Sequence, residues 1–341
     1  MKCLFRARGL AALALLGGLA TIAVAPVRAQ EPIVIKFSHV VAADTPKGRG
    51  AERFKQLAEQ LTKGRVKVEV YPNSTLYKDK EELEALQLGS VQMLAPSLAK
   101  FGPLGVKEFE VFDIPYMFPT EAFLGRVESG PIGHKLMSKL ESKGITGLAF
   151  WDNGFKVFSA NKPIERPGDL KGLKLRIQSS KVLEAQMRAL DAIPQVMAFG
   201  DVYQALQTGV VDGTENPWSN MYTQKMHEVQ KYAVDTYHGY LGYAVIVNTK
   251  FWSGLAPDIR AALESAMKDA TAFEHEIARK DNEDAMAAID KSGRTKIIHL
   301  SAEQRAVWVK ALLPVRSEVA GRVGSDVIEE LVKEQAAAGL H

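Results

Sequence analysis

The chain has 341 residues, and its 43 basic and 40 acidic side chains give a formal net charge of +3. Four of the basic residues and no acidic residue lie within 1–29, so the remainder carries 39 basic against 40 acidic side chains, a net charge of −1. This balance gives no electrostatic support for a nucleic-acid or polyanion partner. The remaining length, about 310 residues, exceeds one comfortable hydrophobic core and predicts two lobes.

Residues 1–29 have the layout of a secretory signal peptide. A basic segment precedes an apolar run over 10–25, and Val27-Arg28-Ala29 provides a cleavage site that would leave Gln30 as the first mature residue. Glycine and proline interrupt the run, which is short for a membrane anchor. The only cysteine, Cys3, also lies in this leader, so we expect an exported, soluble chain without thiol, disulfide or cysteine–metal chemistry.

The first half of the exported chain alternates strand and helix patterns. A β-rich run over 33–37 leads to Thr45 and Pro46, which suit the N-cap and first position of a helix. Alternating valines over 66–70 predict a half-buried strand, and a helix is expected over 79–88. This order predicts a mostly parallel sheet covered by helices.

The second half repeats the theme and adds one long helix. Leu173–Gln178 alternates as a strand does, and residues 85–91 resemble residues 205–211, each as a helix end that turns into a strand. After Pro257, residues 258–291 contain neither glycine nor proline and carry one apolar stripe. At 1.5 Å per residue such a helix approaches ~50 Å, long enough to brace two lobes.

Sequence motifs of common enzymes are missing. There is no P-loop and no Gly-x-Ser-x-Gly elbow, and His275-Glu276 is followed by Arg279 where a zinc-protease motif needs histidine. Five other histidines of the exported chain are scattered without ligand spacing: His39, His134, His227, His238 and His299. We therefore expect a protein that is not an enzyme and that uses neither a cofactor nor a metal.

Arg176 is the first candidate for ligand binding. It alternates on a strand with apolar residues, and a guanidinium can meet a carboxylate through two parallel hydrogen bonds. The pattern alone is also typical of a solvated strand residue, which is the commoner case.

Asn216 is a second candidate. It lies in a Gly- and Pro-containing segment over 211–218 whose composition predicts a turn, and its amide there either binds a ligand or caps its own backbone. If the Asn216 amide binds a ligand, we expect Trp218 to line the pocket.

Two lysines are further candidates. Lys47 lies in the first turn of the predicted helix, where free N–H groups and the helix dipole favour an anion, although a surface lysine is the common case there. Lys156 closes the segment 151–156, which includes Asn153 and reads as a strand end with aromatic residues and a cation. That segment is either a ligand contact or a hinge between lobes.

The chain resembles the substrate-binding receptors of tripartite ATP-independent periplasmic (TRAP) transporters, particularly their C4-dicarboxylate branch. The motifs that carry the resemblance run the length of the exported chain: Lys36–Val40 with Thr45–Gly48, Ala95–Ser97 with Phe101–Leu104, Phe112–Pro115, Asn153–Lys156 with Ser159–Pro163, Asp169–Arg176, and Val202–Gln207 with Asp212–Pro217.

The resemblance implies an α/β fold of the type II periplasmic-binding-protein class. Two α/β lobes would enclose a ligand cleft, and a long helix would span both. We expect residues 30–153 with about 242–281 to form lobe I, and residues 154–241 with about 282–335 to form lobe II. The partners it implies are a small organic acid and the membrane subunits of the transporter, with the receptor itself in the periplasm.

The resemblance also implies roles for particular residues. Arg176 corresponds to the main carboxylate anchor of the family, and Asn216 to its pocket asparagine. Lys156 stands where sialic-acid receptors of the family look to carry arginine, and Pro96 stands near their acidic pocket residue. These departures favour a smaller and more anionic ligand than a sugar acid.

We therefore expect a C4-dicarboxylate such as succinate, malate or fumarate. One carboxylate would pair with Arg176, supported by Asn216 and Lys156. The second would meet lobe I, and the candidates there and around the pocket are Lys47, Ser97, His39, Asn153, Phe199, Trp218 and Ser179.

Two alternatives stay open at this point. Burying a dianion needs about two cations, so a pocket with Arg176 alone would suit a 2-oxo, hydroxy or aromatic monocarboxylate. A periplasmic lyase or hydrolase acting on an organic acid is the alternative from another class, and it would need a neighbouring acid and base.

Overall fold

The computed structural model describes residues 31–340, so the predicted signal peptide and Cys3 lie outside the described residues. The strands are β1 (Ile33–Ser38), β2 (Val66–Tyr71), β3 (Met93–Leu94), β4 (Ile145–Phe155), β5 (Val157–Ala160), β6 (Lys174–Ile177), β7 (Ile193–Val196), β8 (Gly213–Asn216), β9 (Tyr232–Val234), β10 (Tyr240–Asn248) and β11 (Lys296–Ile298).

The helices cover the sheets and connect the strands. They are α1 (Pro46–Leu61), α2 (Glu82–Gln87), α3 (Glu121–Ser129), α4 (Pro131–Lys139), α5 (Lys181–Ala189), α6 (Val202–Gln207), α7 (Trp218–Thr223), α8 (Thr249–Ser253), α9 (Pro257–Ser292), α10 (Ala302–Val323) and α11 (Ser325–Ala337). Short 3-10 helices include Leu98–Lys100 and Lys107–Asp113.

The strands form two sheets, which agrees with the expected α/β fold of two lobes. The first sheet has the order β2-β1-β3-β10-β4, and the second has the order β11-β9-β5-β8-β6-β7. The expectation of mostly parallel strands is confirmed, with one exception in each sheet: β10 runs antiparallel to both its neighbours in the first sheet, and β5 does the same in the second. The chain passes directly between sheets at these strands, so no crossover helix imposes a parallel direction.

Two chain segments connect the sheets. β4 of the first sheet continues through Lys156 into β5 of the second, and β9 of the second leads back to β10 of the first. The two segments touch each other, since the backbone N–H of Lys156 donates to the carbonyl of Gly239 at 2.8 Å. The segment 151–156 therefore contains the end of β4 and the single residue that connects this strand to the second sheet.

The long helix is present as expected. α9 has 36 residues, so it is ~54 Å long at 1.5 Å per residue. Leu263 and Ala270 pack with the apolar core of the first sheet, whereas Ala285 and Ile289 pack with that of the second. The left-handed Gly293 ends the helix. One rigid element therefore braces both apolar cores.

The two similar sequence segments also have similar structures. α2 and α6 each end in a glycine with positive φ, at 79° for Gly89 and 73° for Gly209, and each leads to a buried strand. Their buried leucines, Leu86 and Leu206, occupy matching positions. Within residues 31–340 no helix is long and apolar enough to cross a membrane.

Candidate functional site

A small cavity lies where elements of the two sheets approach each other. Its volume is about 10 Å³, roughly the space of one water molecule. Four of the residues selected from the sequence line it, namely Lys47, Ser97, Phe199 and Asn216, and the other lining residues are Val40, Val41, Asp79, Lys100, Gln178, Asn220, Leu241 and Tyr243. A second, more open cavity of about 360 Å³ shares Asp79, Lys100 and Gln178 with the first and includes Arg176.

Arg176 lines the larger cavity and is buried, with 2% of its surface exposed. Leu175 and Ile177 anchor β6 in the core on the opposite face, as the alternating pattern predicts. The Nε and Nη2 groups of Arg176 donate to the carbonyl of Met197 at 3.0 and 2.9 Å. That carbonyl fixes one edge of the guanidinium, so both N–H groups of Nη1 and the second N–H of Nη2 remain for a further acceptor.

Asn216 ends a strand rather than lying in a turn. Gly213 and Pro217 favoured the turn reading, but β8 pairs with both β5 and β6. A side chain at Gly213 would place its Cβ 2.2 Å from the carbonyl oxygen of Ser159, so this glycine permits two strands to approach closely. The prediction of a turn at Asn216 is therefore wrong, but the residue does line the cavity.

Asn220 was missed by the sequence analysis. Its Nδ2 donates to Oδ1 of Asn216 at 3.4 Å, and its own Oδ1 is buried without a partner. Nδ2 of Asn216 in turn donates to Thr214 Oγ1 at 3.2 Å. The sequence signal for Asn220 was its position four residues after Asn216, because residues four apart are neighbours where a helix begins.

Lys47 reaches the cavity from the first turn of α1. Thr45 is the N-cap and Pro46 the first helical residue, as predicted, and the Thr45 side chain accepts from the N–H of Gly48. The Lys47 ammonium donates to the carbonyl of Ala95 at 2.9 Å and lies 3.6 Å from the ring centre of Tyr243. Burial disfavours the charged form and lowers the pKa of Lys47 to about 7.

Lys100 is a second cation in the cavity wall, and the sequence analysis did not select it. Its ammonium pairs with Asp79 and Glu82, which stand just before and within α2. Burial opposes ionisation of Asp79, but Lys100, the Phe199 N–H and Arg176 outweigh it and lower the pKa of Asp79 to about 2. The charge of Lys100 is therefore balanced inside the protein.

Lys156 does not line the cavity. Its ammonium lies 3.0 Å from Glu215 Oε1 and 3.7 Å from Asp113 Oδ1, and all three groups are buried. The other Glu215 oxygen accepts from His238 Nε2 at 3.0 Å. Burial opposes ionisation of Glu215, but Lys156 and His238 lower its pKa to about 2. Lys156 lies at the connection between the sheets, and there its ammonium pairs with buried carboxylates of the protein.

Two other selected residues lie behind the cavity wall. Asn153 is buried, and its Nδ2 donates at 2.5 Å to the hydroxyl of Tyr243, which does line the cavity. His39 is fully buried, and neither ring nitrogen has a hydrogen-bond partner among the described residues. Burial, together with the charge of Lys47, lowers the pKa of His39 to about 3, so this ring is neutral.

The last two selected residues lie further away. Trp218 is buried, but it faces a separate groove and donates to the hydroxyl of Tyr237 at 3.4 Å. Ser179 is exposed at the margin of the larger cavity that contains Arg176. Within residues 31–340 no group of three or more histidine, cysteine or acidic side chains is arranged to hold a metal ion.

Comparison with known proteins gives consistent matches. Residues 37–322 match the model of a family described as bacterial extracellular solute-binding protein, family 7. The C4-dicarboxylate-binding periplasmic protein DctP of Rhodobacter capsulatus is 65% identical over 298 residues, which cover 87% of this chain and 90% of that protein.

Solved structures agree with this match. A TRAP periplasmic solute binding protein from Shewanella oneidensis with bound succinate has a TM-score of 0.87 at 42% identity, and the match covers 89% of this chain and 99% of that chain. One from Pseudomonas aeruginosa with bound L-malate has a TM-score of 0.82 at 44% identity, and that match covers 84% of this chain and 100% of that chain.

Proposed function

Because the chain belongs to the bacterial extracellular solute-binding protein family 7, we propose that it is the periplasmic receptor of a TRAP transporter. It binds a C4-dicarboxylate such as succinate, malate or fumarate and delivers it to the membrane subunits of the transporter. The relative from Rhodobacter capsulatus is named for C4-dicarboxylate binding, and the two solved relatives hold succinate and L-malate.

One observation in this chain carries the choice of a dicarboxylate. Four buried cations lie in or near the cavity, and two of them, Lys100 and Lys156, are paired with carboxylates of the protein. Within residues 31–340 the other two, Lys47 and Arg176, form no ion pair; each donates to a backbone carbonyl instead. A buried dianion needs about two such cations, whereas a monocarboxylate would use one.

The binding mode follows from where these two cations lie. One ligand carboxylate accepts from Arg176 and the amide of Asn216, and the other meets the ammonium of Lys47 beside Ser97. Phe199 packs against the ligand between them. Lys156 supports the site at a distance through Glu215, which precedes Asn216 in β8. His39, Asn153, Trp218 and Ser179 make no direct contact in this mode.

The lobes move relative to each other when the ligand binds. We take lobe I as residues 30–153 with about 242–281, and lobe II as residues 154–241 with about 282–335. Closure excludes water, which strengthens the charge-assisted hydrogen bonds, and it presents one closed surface to the membrane subunits. Residues 1–29 act as the signal peptide that delivers the chain to the periplasm.

A thermal-shift panel tests this function. The exported chain should be stabilised by succinate, L-malate and fumarate, because a ligand that binds only the folded state raises Tm. Stabilisation by monocarboxylates alone would instead support a receptor for a 2-oxo, hydroxy or aromatic monocarboxylate. Ligand recovered unchanged after incubation is the expected result, and turnover would establish a lyase or hydrolase.

A further inference from the structure

Lys47 is an unusual cation because it is buried without a charged partner among residues 31–340. Only 1% of its surface is exposed, and its ammonium has one hydrogen-bond acceptor, the carbonyl of Ala95. An ammonium has three donors, so two of them face the ring of Tyr243 and the cavity. Burial without a counter-charge disfavours the charged form of an amine.

The charged and titratable groups around Lys47 come from every element packed against it. They are His39 after β1, Asp79 before α2, Glu82 in α2, Lys100 in the 3-10 helix Leu98–Lys100, Tyr243 in β10 and Glu274 in α9.

None of these groups supplies a free negative charge to Lys47. Asp79 and Glu82 are both bonded to Lys100. Glu274 accepts from the Asp152 N–H, and burial together with the charge of Asp152 raises the pKa of Glu274 well above its usual value, which disfavours its ionised form. Without ligand, the amine of Lys47 is therefore only partly protonated near neutral pH.

We propose that ligand binding is coupled to the uptake of one proton by Lys47. The inference rests on the proposed function, because it requires an anionic ligand in the cavity. A ligand carboxylate beside the amine supplies the missing counter-charge and favours the ammonium. The proton comes from the buffer and bonds to Nζ, while the ligand enters and stays as the dianion.

The direction of the pH dependence follows from linkage. Below about pH 7 the amine is already charged in the free protein, so affinity is highest there and little proton is taken up. Above that pH the free amine is neutral and must be protonated on binding. Affinity should then fall by up to ~10-fold per pH unit, until the pH passes the pKa of Lys47 in the complex.

Titration calorimetry with succinate in Tris and in HEPES measures the proton count directly. These buffers differ in ionisation heat, so the difference in observed enthalpy gives the protons taken up per ligand. The wild-type chain should take up close to one proton at about pH 8.5 and clearly fewer at about pH 7. Binding with no buffer dependence at either pH overturns the inference, whereas no binding at all contradicts the proposed function instead.

Two variants assign the proton to Lys47. Lys47→Arg keeps a permanent charge and Lys47→Met has none, so both should bind succinate without proton uptake and with a nearly flat pH profile. Lys55→Met is the matched control, because Lys55 lies on the same helix with its side chain 38% exposed, and it should keep the wild-type proton count.

Proton uptake that persists in Lys47→Met overturns the assignment and indicates another buried acid, such as Glu82 or Glu274, each of which has one carboxylate oxygen without a hydrogen-bond partner among the described residues. If neither variant binds, the wild-type proton count alone decides whether uptake occurs.

Discussion

Lys100 and Lys156 differ from Lys47 and Arg176 in one respect: the first two are paired with carboxylates of the protein, and the second two are not. All four side chains are at least nine-tenths buried, so burial alone does not separate them. A cation paired with a protein carboxylate contributes to the stability of the fold, whereas an unpaired cation is available to bind an anionic ligand. The comparison predicts opposite effects when members of the two groups are replaced.

The largest effect on stability is expected at Lys156. Lys156→Met leaves Glu215 and Asp113 buried without their cation, which should cost ~3–5 kcal/mol of unfolding free energy. Urea denaturation measures it. The double variant Lys156→Met, Glu215→Gln should recover part of the loss, and a single variant as stable as the wild type would show that the pair is not structural.

Arg176→Lys should reduce succinate affinity by more than ~10-fold, because a lysine cannot hold the Met197 carbonyl and a carboxylate with the same planar group. Calorimetry measures the change. Arg188→Lys serves as the matched control, since Arg188 is exposed on α5 and should leave affinity unchanged. Equal affinity for Arg176→Lys and the wild type would remove Arg176 from the site.

Lys47→Met should make the ligand-free protein more stable at neutral pH, by ~1–3 kcal/mol, although it weakens ligand binding. The reason is that folding lowers the pKa of Lys47 from 10.5 to about 7, so stability is lost as the pH falls from 10.5 towards 7. Thermal melts without ligand at about pH 7 and pH 10 give the comparison. A destabilised variant would mean that the hydrogen bond to Ala95 outweighs the buried amine.

The smallest effect on the free energy of unfolding is expected at Asp113, the acid beside Lys156. Burial raises the pKa of Asp113 from 3.8 to about 7, only partly opposed by Lys156, so the folded chain holds a proton that the unfolded chain releases. Stability should therefore fall as the pH rises from about 4 to 7. Asp113→Asn should remove this slope and gain ~1 kcal/mol above pH 7. Parallel slopes for the two proteins would indicate that another group titrates.

Local patterns predicted the elements that position the site. Thr45 and Pro46 indicated the start of α1, and the apolar stripe indicated α9. Alternation predicted the strand that carries Arg176. Each of these signals lies within a few residues of the feature it predicts.

The pairing of the cations could not be predicted in the same way. Lys156 and Glu215 are 59 positions apart, and Lys100 and Glu82 are 18 apart, so only the folded chain reveals which lysine has a partner. Tyr243 was missed for the same reason, since its place beside Lys47 depends on the pairing of β10 with β3. The prediction of a turn at Gly213 was wrong, because a glycine is needed there for the close approach of two strands.

The most direct test of the dicarboxylate receptor compares succinate with butanoate, which has the same carbon chain and lacks one carboxylate. Calorimetry at about pH 7 should show one succinate bound per chain and butanoate bound at least ~100-fold more weakly, because Lys47 would be left without its counter-charge. Butanoate bound as tightly as succinate would contradict the account, since ligand binding would then use only one of the two unpaired cations, Lys47 and Arg176.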